Sequence, residues 1–248
     1  MFFRRTFAAL LAGAVLLTGC QRRVFDPSRI RPTDALFAAS LREFQNKRWV
    51  NAVRGFERLT TELPARDPRL PSAYFYLARA QQERREHLTA AQTFRRISDG
   101  FPDDTLADDA LFQSGRSYQQ LWRKPALDAE QGLAALNVYR TLLALYPNSP
   151  LRTETEQQIA RIEQWLATKD YDTGYHYMKR GAYDSAIIYF RDVIRLYPTA
   201  PKTREAYLRL LQSYQAIRYR EDARELCATM RDRYPSDREI VGACARVG

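Results

Sequence analysis

The chain repeats one pairing of residues five times, an alanine followed twelve residues later by a proline. The alanines are Ala52, Ala90, Ala135, Ala186 and Ala223, and the prolines are Pro64, Pro102, Pro147, Pro198 and Pro235. The residues four places after the alanines are mostly aromatic: Phe56, Phe94, Tyr139, Phe190 and Cys227. A pattern that returns in register over most of a chain indicates a protein built from tandem repeats.

Each repeat has the pattern of a tetratricopeptide repeat, a pair of antiparallel helices whose second member carries A-x3-F and ends at a proline. The small alanine lets the two helices cross closely, and the proline stops the second helix because it lacks an N–H. The first helices also match, most clearly at Gly115 and Tyr118 in the third unit. We therefore predict an all-α tetratricopeptide-repeat solenoid of five helix pairs.

The repeats are unevenly spaced, with successive alanines 38, 45, 51 and 37 residues apart. The second interval contains an insert around residues 123–128, which either contacts a partner or is simply a tolerated insertion. The third interval predicts an extended first helix in the fourth unit, from about Leu151 to Lys179. We expect the repeat domain to span residues 33–248, with N-terminal repeats at 33–147 and C-terminal repeats at 151–235 before a C-terminal cap.

The N-terminal segment has the basic start and short apolar run of an export signal. The apolar run from Phe7 to Leu17 is well short of the ~20 residues that cross a bilayer. The segment Leu17–Cys20 (LTGC) resembles the lipobox of bacterial lipoproteins, which implies that residues 1–19 are removed and that Cys20 carries acyl chains such as palmitate. The following Gln21 implies, by resemblance to the sorting rule of Gram-negative lipoproteins, outer-membrane delivery. Residues 20–32 then form a lipidated tether.

The composition argues against several classes of function. The formal net charge is +10, but the basic residues are scattered among acidic ones along the helices of an exported chain, so we expect no nucleic-acid partner. Neither His87 nor His176 has a carboxylate or cysteine at metal-ligand spacing. The chain also lacks a phosphate-binding loop and a nucleophile elbow. We expect no enzyme activity, no metal and no cofactor.

Two cysteines remain beside Cys20, and they lie close together near the end of the sequence. In an oxidising compartment Cys227 and Cys244 either form a disulfide or remain unpaired thiols. Their spacing alone does not distinguish these alternatives.

Several segments resemble the BamD family, the lipoprotein component of the machinery that inserts β-barrels into the outer membrane. The segments are Phe101-Pro102 before Asp108–Leu111 (DDAL), Tyr146–Pro150 (YPNSP), and Tyr177–Tyr183 (YMKRGAY) before Ala186. The resemblance implies a non-enzymatic adaptor, anchored in the outer membrane and facing the periplasm. It implies that the C-terminal repeats dock to the barrel-forming partner BamA, that the N-terminal repeats engage unfolded outer-membrane proteins, and that other assembly lipoproteins join. The alternative is another envelope scaffold, such as a secretin pilotin or a coordinator of cell-wall construction and division.

The repeat pattern also predicts which side chains line a peptide-binding groove. In the first helix of each repeat, the residue that follows a consensus packing position should face outward. In the N-terminal repeats these residues include Phe37, Phe75, Arg79, Phe112 and Arg116. Tyr171 and Leu208 occupy the equivalent positions in the fourth and fifth units. Aromatic rings beside arginines suit an extended peptide that carries aromatic side chains and a terminal carboxylate. The alternative is that these rings pack within the core.

Overall fold

Within residues 25–247, the range that the computed structural model describes, the chain forms eleven α-helices and one short 3₁₀ helix but no β-strand. The 3₁₀ helix is Pro27–Arg29. The α-helices are α1 (Thr33–Gln45), α2 (Trp49–Glu62), α3 (Leu70–Glu83), α4 (His87–Gly100), α5 (Ala107–Leu121), α6 (Glu130–Leu145), α7 (Arg152–Lys179), α8 (Tyr183–Leu196), α9 (Lys202–Ala216), α10 (Arg220–Arg233) and α11 (Arg238–Cys244). The first ten form five antiparallel pairs, so the predicted repeat solenoid is confirmed.

The repeated alanines and aromatics occupy the positions that the pattern requires. Ala52, Ala90, Ala135 and Ala186 are fully buried, and the aromatic residues that follow them are buried as well. Gly115 shows how close the contact is, since a Cβ placed there would lie 2.5 Å from the ring of Tyr139. The two helices of the third unit can therefore approach only because glycine has no side chain.

Four of the five units join their two helices by the same three-residue turn. Its middle residue has a positive φ: 56° at Lys47, 63° at Arg85, 75° at Gly181 and 61° at Arg218. In each turn an N–H closes back onto the carbonyl five residues earlier, as in Tyr219 to Tyr214 at 2.9 Å. The third unit has the insert in place of this turn. A left-handed residue at this point ends the first helix and reverses the chain.

The insert is held against the neighbouring helices. Trp122, at its start, is only 2% exposed and meets Trp165 of α7 with ring centroids 5.4 Å apart. A Cβ at Gly132 would lie 2.1 Å from the Trp122 ring, so the indole packs directly on the backbone of α6. Lys169 of α7 donates a hydrogen bond of 2.9 Å to the carbonyl of Leu127. The insert thus connects the third unit to the fourth.

The long helix α7 has 28 residues, whereas the other paired helices have 13 to 16. It begins one residue after the predicted start and ends at the predicted residue. Ser149 stabilises the start of α7, because its hydroxyl accepts a hydrogen bond from the Leu151 N–H at 3.1 Å and donates one to Asp108 at 2.5 Å. Buried residues along its middle (Ile162, Leu166, Ala167 and Tyr171) join the large cluster formed by α5–α11.

The predicted boundary of the N-terminal tether is wrong. Residues 20–32 were expected to form a tether, but Phe25 and Ile30 pack partly buried against the apolar cluster of α1–α3. The Arg58 side chain donates to the carbonyl of Pro27, and Asp26 caps the 3₁₀ helix through the Ser28 N–H at 3.0 Å. The repeat fold therefore already includes Phe25. Residues 1–19 and Cys20 lie outside the described residues.

The short helix α11 is fastened to the fifth unit in two ways. Cys227 and Cys244 form a disulfide, with their Cα atoms 5.5 Å apart. Arg204 of α9 donates to Asp237 at 2.5 and 2.9 Å and to Glu239 at 2.8 Å. These contacts close the C-terminal end of the solenoid.

Within the part of the chain that the structure describes, every helix is too short or too polar to cross a bilayer.

Candidate functional site

We call the side of the solenoid built from α1, α3, α5 and α7 the first-helix face. It carries the side chains that the repeat pattern predicts for a peptide groove. The structure places them in different environments, so each must be assessed by its own contacts.

Phe37 and Phe75 are half-buried in an aromatic layer between the first two units. Phe37 meets Phe56 edge-on, with centroids 5.7 Å apart, and it also contacts Tyr76 at 6.4 Å. Phe75 meets Phe94 at 5.5 Å in the same manner. Part of each ring therefore stabilises the repeat, and part of its surface remains exposed.

Arg79 and Arg116 follow on the neighbouring helices. Arg79 is partly buried, and its guanidinium donates a long hydrogen bond of 3.4 Å to the Gln113 side chain. Arg116 is exposed and forms no ion pair with any residue between 25 and 247. It lines a cavity of about 880 Å³ between the ends of α3 and α5 and the first half of α7. Both side chains can therefore offer N–H groups to an incoming anion.

Phe112 does not belong to the site, and its prediction as a groove residue is wrong. Its side chain is 2% exposed and meets the Tyr139 ring at 5.8 Å. It belongs to the same buried cluster as Ile162 and Leu166 of α7. Phe112 therefore packs within its own unit, against α6, as part of the core.

Tyr171 and Leu208 are likewise buried, at 5% and 8% exposure, so the predicted aromatic row does not continue into the C-terminal repeats. Tyr171 stacks on Tyr175 at 6.2 Å, with the ammonium of Lys202 4.6 Å from its own centroid. Arg209 lies 5.2 Å from the Tyr175 ring. Burial raises the pKa of the Tyr171 hydroxyl, although its hydrogen bond from Arg209 opposes that shift. These contacts tie α7 to α9.

A second depression lies in the C-terminal repeats, between α8, α9 and α10. This cleft has a volume of about 550 Å³ and is lined by Ile188, Leu226, Tyr214 and charged side chains that include Arg191 and Arg195. Ile188 is 60% exposed, the highest value among the exposed large apolar residues of the described range. Arg191 bridges the cleft by bonding to Tyr214 at 2.6 Å and to Asp222 at 3.1 Å.

The residues between 25 and 247 contain no cluster of three or more His, Cys, Asp or Glu arranged to hold a metal ion. His176 is exposed on α7. His87 begins α4 and is partly buried, and this burial lowers the pKa of its imidazole, with Arg123 and Arg85 adding to the effect.

Sequence reasoning missed most of the residues around the large cavity. Its arginines include Arg85, Arg123 and Arg161, which come from a turn, the insert and α7. No fixed spacing relates these positions, so no sequence motif could identify them. Only Arg116 was predicted, because it alone follows a repeat position.

Comparison with known proteins gives consistent results. The sequence profile of the family described as "YfiO: Outer membrane lipoprotein" matches residues 30–229. The "Outer membrane protein assembly factor BamD" of Caulobacter vibrioides is 27% identical over 248 residues, covering 96% of this chain and 78% of the relative. The protein of the same name from Rickettsia prowazekii is 21% identical and covers 96% of this chain and 94% of its own. Among solved structures, the TPR domain of P58(IPK) aligns with 87% of this chain and 55% of its own, at 15% identity and a TM-score of 0.44.

Proposed function

The chain belongs to the YfiO family of outer membrane lipoproteins, and on that basis we propose that it is an assembly factor for outer-membrane proteins. The observation that carries the proposal is the family match, which runs from the residue after the 3₁₀ helix into α10 and so touches all five repeat units. We propose that Cys20 is the acylated residue and that the repeats extend from it into the periplasm. The protein would act as an adaptor without catalysis.

We propose that the N-terminal repeats capture unfolded barrel precursors on the first-helix face. The exposed sides of Phe37 and Phe75 supply aromatic surface, and Arg79 and Arg116 supply donors for a carboxylate. Aromatic anchors bury large areas at a low entropic cost, and arginine binds a carboxylate with two parallel hydrogen bonds. An extended peptide with an aromatic C-terminal residue matches both features.

The Phe75→Ala/Arg79→Ala double variant tests the capture site. We expect it to bind barrel-derived peptides at least tenfold more weakly, because it loses an aromatic contact and a charged hydrogen bond. Titration with a fluorescent peptide in detergent measures the change. Tyr219→Ala/Arg220→Ala is the control, since Tyr219 is 47% exposed in the fifth unit, away from the site. Equal weakening in both double variants, or none in the first while it remains folded, would contradict this assignment.

We propose that the C-terminal repeats dock to the barrel-inserting subunit through the cleft between α8 and α10. Ile188 offers an exposed apolar anchor there, and Arg191 and Arg195 provide a charged rim. An apolar centre surrounded by polar groups is the usual anatomy of a protein interface. Other assembly lipoproteins would then join through the remaining surfaces.

The Ile188→Glu variant tests the docking surface in a mild-detergent pull-down from outer membranes. We expect the unmodified protein to retain a large barrel protein with tandem periplasmic domains, and Ile188→Glu to lose it because a charge enters the apolar centre. Leu145→Glu is the matched control, since Leu145 is 58% exposed on α6. Retention of secretin or cell-wall proteins without that barrel would instead support a different envelope scaffold.

A further inference from the structure

Four arginines around the large cavity on the first-helix face form no ion pair with any residue between 25 and 247. They are Arg85, Arg116, Arg123 and Arg161, and all line the cavity of about 880 Å³. Other arginines of this range are paired, as in Arg140 with Glu163 at 2.8 Å, or are exposed and unpaired, as are Arg66 and Arg180. What distinguishes the four is that they share one cavity.

The acidic residues of the same lining do not balance this charge. Glu83 and Glu154 are the carboxylates among the lining residues, so four positive charges face two negative ones. The four arginines come from different segments: Arg85 from the turn before α4, Arg116 from α5, Arg123 from the insert and Arg161 from α7. Positive charge therefore enters the lining from several sides of the chain fold.

Two buried nitrogen atoms beside the cavity lack hydrogen-bond partners in the described part of the chain. They are Nε1 of Trp122, whose side chain is 2% exposed, and Nδ1 of His87. An indole N–H can only donate, and leaving a buried donor unpaired costs stability. Both side chains line the cavity, and the two nitrogen atoms themselves are buried. This observation is independent of the arginine cluster.

We propose that this cavity is a binding site for an acidic peptide segment, whose carboxylates pair with Arg116, Arg161, Arg85 and Arg123. The volume exceeds what a single inorganic anion fills, and the side-chain amides of Gln120 and Gln158 can both donate to and accept from peptide groups. The two lining glutamates disfavour a phosphate dianion more than a carboxylate. The cavity shares Arg116 with the proposed capture surface, but an acidic segment without aromatic residues would use it whether or not that surface captures barrel precursors.

The test compares two variants that each lose two positive charges. Arg116→Gln/Arg161→Gln alters the cavity, and Arg66→Gln/Arg180→Gln alters exposed arginines outside it. The probe is a short capped peptide of alternating Glu and Gly, titrated against the full-length protein in detergent, with a Gln-Gly peptide as the uncharged reference. We expect the cavity variant to bind the acidic peptide at least tenfold more weakly, because each arginine contributes a charged hydrogen bond. The exposed-site variant should bind nearly as the unmodified protein does.

A second readout follows the titration of His87 by NMR. A bound carboxylate stabilises the imidazolium form, so saturating acidic peptide should raise the pKa of His87. Three results would overturn the proposal. They are equal weakening in both double variants, equal binding of the two peptides, and inorganic phosphate that binds the cavity more tightly than the acidic peptide.

Discussion

At the scale of single residues, the helix-to-helix turns show where backbone conformation limits the sequence. Gly181 occupies the left-handed position of the fourth unit, and Lys47, Arg85 and Arg218 occupy it in three others. A residue with a Cβ in this region is strained by about 1–2 kcal/mol, whereas glycine is not. Three units therefore contain backbone strain at this residue, and the packing of their helices offsets it.

This difference gives a residue-scale prediction. Gly181→Ala should lower the free energy of unfolding by about 1–2 kcal/mol, because alanine must adopt a positive φ of 75° with no steric clash to complicate the result. Urea denaturation measures the change. Gly100→Ala is the control, since Gly100 ends α4 with open space around it and an ordinary φ. A loss of similar size at both positions would show that the left-handed turn is not the cause.

The surroundings of single side chains were also the least predictable feature from the sequence. The alanine and aromatic positions were predictable because each packs within its own unit. Phe112 was instead predicted to face outward, but it packs against Tyr139 of α6. Its burial depends on how α5 packs on α6, which the local pattern around Phe112 does not contain.

At the scale of elements, the C-terminal helix α11 depends on contacts that respond to acid. The guanidinium of Arg204 lowers the pKa of Asp237 from 3.8 to about 2, and the backbone N–H groups of α11 add to the effect. The same carboxylate caps the helix by accepting from the N–H groups of Glu239 at 3.0 Å and Ile240 at 3.2 Å. One ionised group therefore both starts α11 and ties it to α9.

The pH dependence follows from the direction of this shift. Because the folded state binds the Asp237 proton more weakly than the unfolded state, the stabilisation is complete above about pH 4 and is lost as the pH falls toward 2. Hydrogen exchange of the α11 amides should accelerate over this interval when the data are corrected for intrinsic exchange. Asp237→Asn should already exchange faster at neutral pH and should lose this pH dependence. An unchanged profile in that variant would assign the acid response to another group.

Element boundaries were largely predictable, because prolines mark the ends of the second helices and the interval between repeats sets the length of α7. The large cavity was not predictable. Its lining comes from a turn, an insert and three first helices, and only the folded chain brings these segments together.

At the scale of the whole molecule, apolar packing is divided along the solenoid. One buried cluster lies in α1–α3, a smaller one joins α3–α5, and the largest extends from α5 to α11. In repeat proteins each unit contacts mainly its neighbours, so stability is approximately a sum of local terms. The two ends of the chain should therefore respond separately to damage.

A pair of core substitutions tests this separation. Leu36→Ala removes a fully buried side chain from the first unit, and Leu211→Ala removes one that is 1% exposed from the fifth. Each should cost about 2–5 kcal/mol. Hydrogen exchange should accelerate mainly in α1–α3 for the first variant and mainly in α7–α11 for the second. Uniform acceleration over all helices in either case would indicate one cooperative unit.

The family and the number of repeats were predictable from the sequence, and both predictions are confirmed. Both follow from the order of motifs along the chain. The five alanine–proline pairs and the YP ends are local sequence features, so they can be detected without the folded structure. Which side chains of the solenoid remain exposed depends on how the folded helices pack, so the groove could be predicted only in part.

Because α7 is one unbroken helix, its length sets both the separation and the relative rotation of the elements at its two ends. Its 28 residues span about 42 Å; its first half lines the cavity that contains Arg116, and its C-terminal end leads to α8, which lines the cleft. Adding two residues in its middle would turn everything beyond them by about 200°, whereas adding seven would nearly keep the angle and increase the separation by about 10 Å. If the elements at the two ends of α7 are to keep their relative orientation, the helix can change its length only by close to whole turns. A change at one end of α7 therefore limits the changes that are possible at the other.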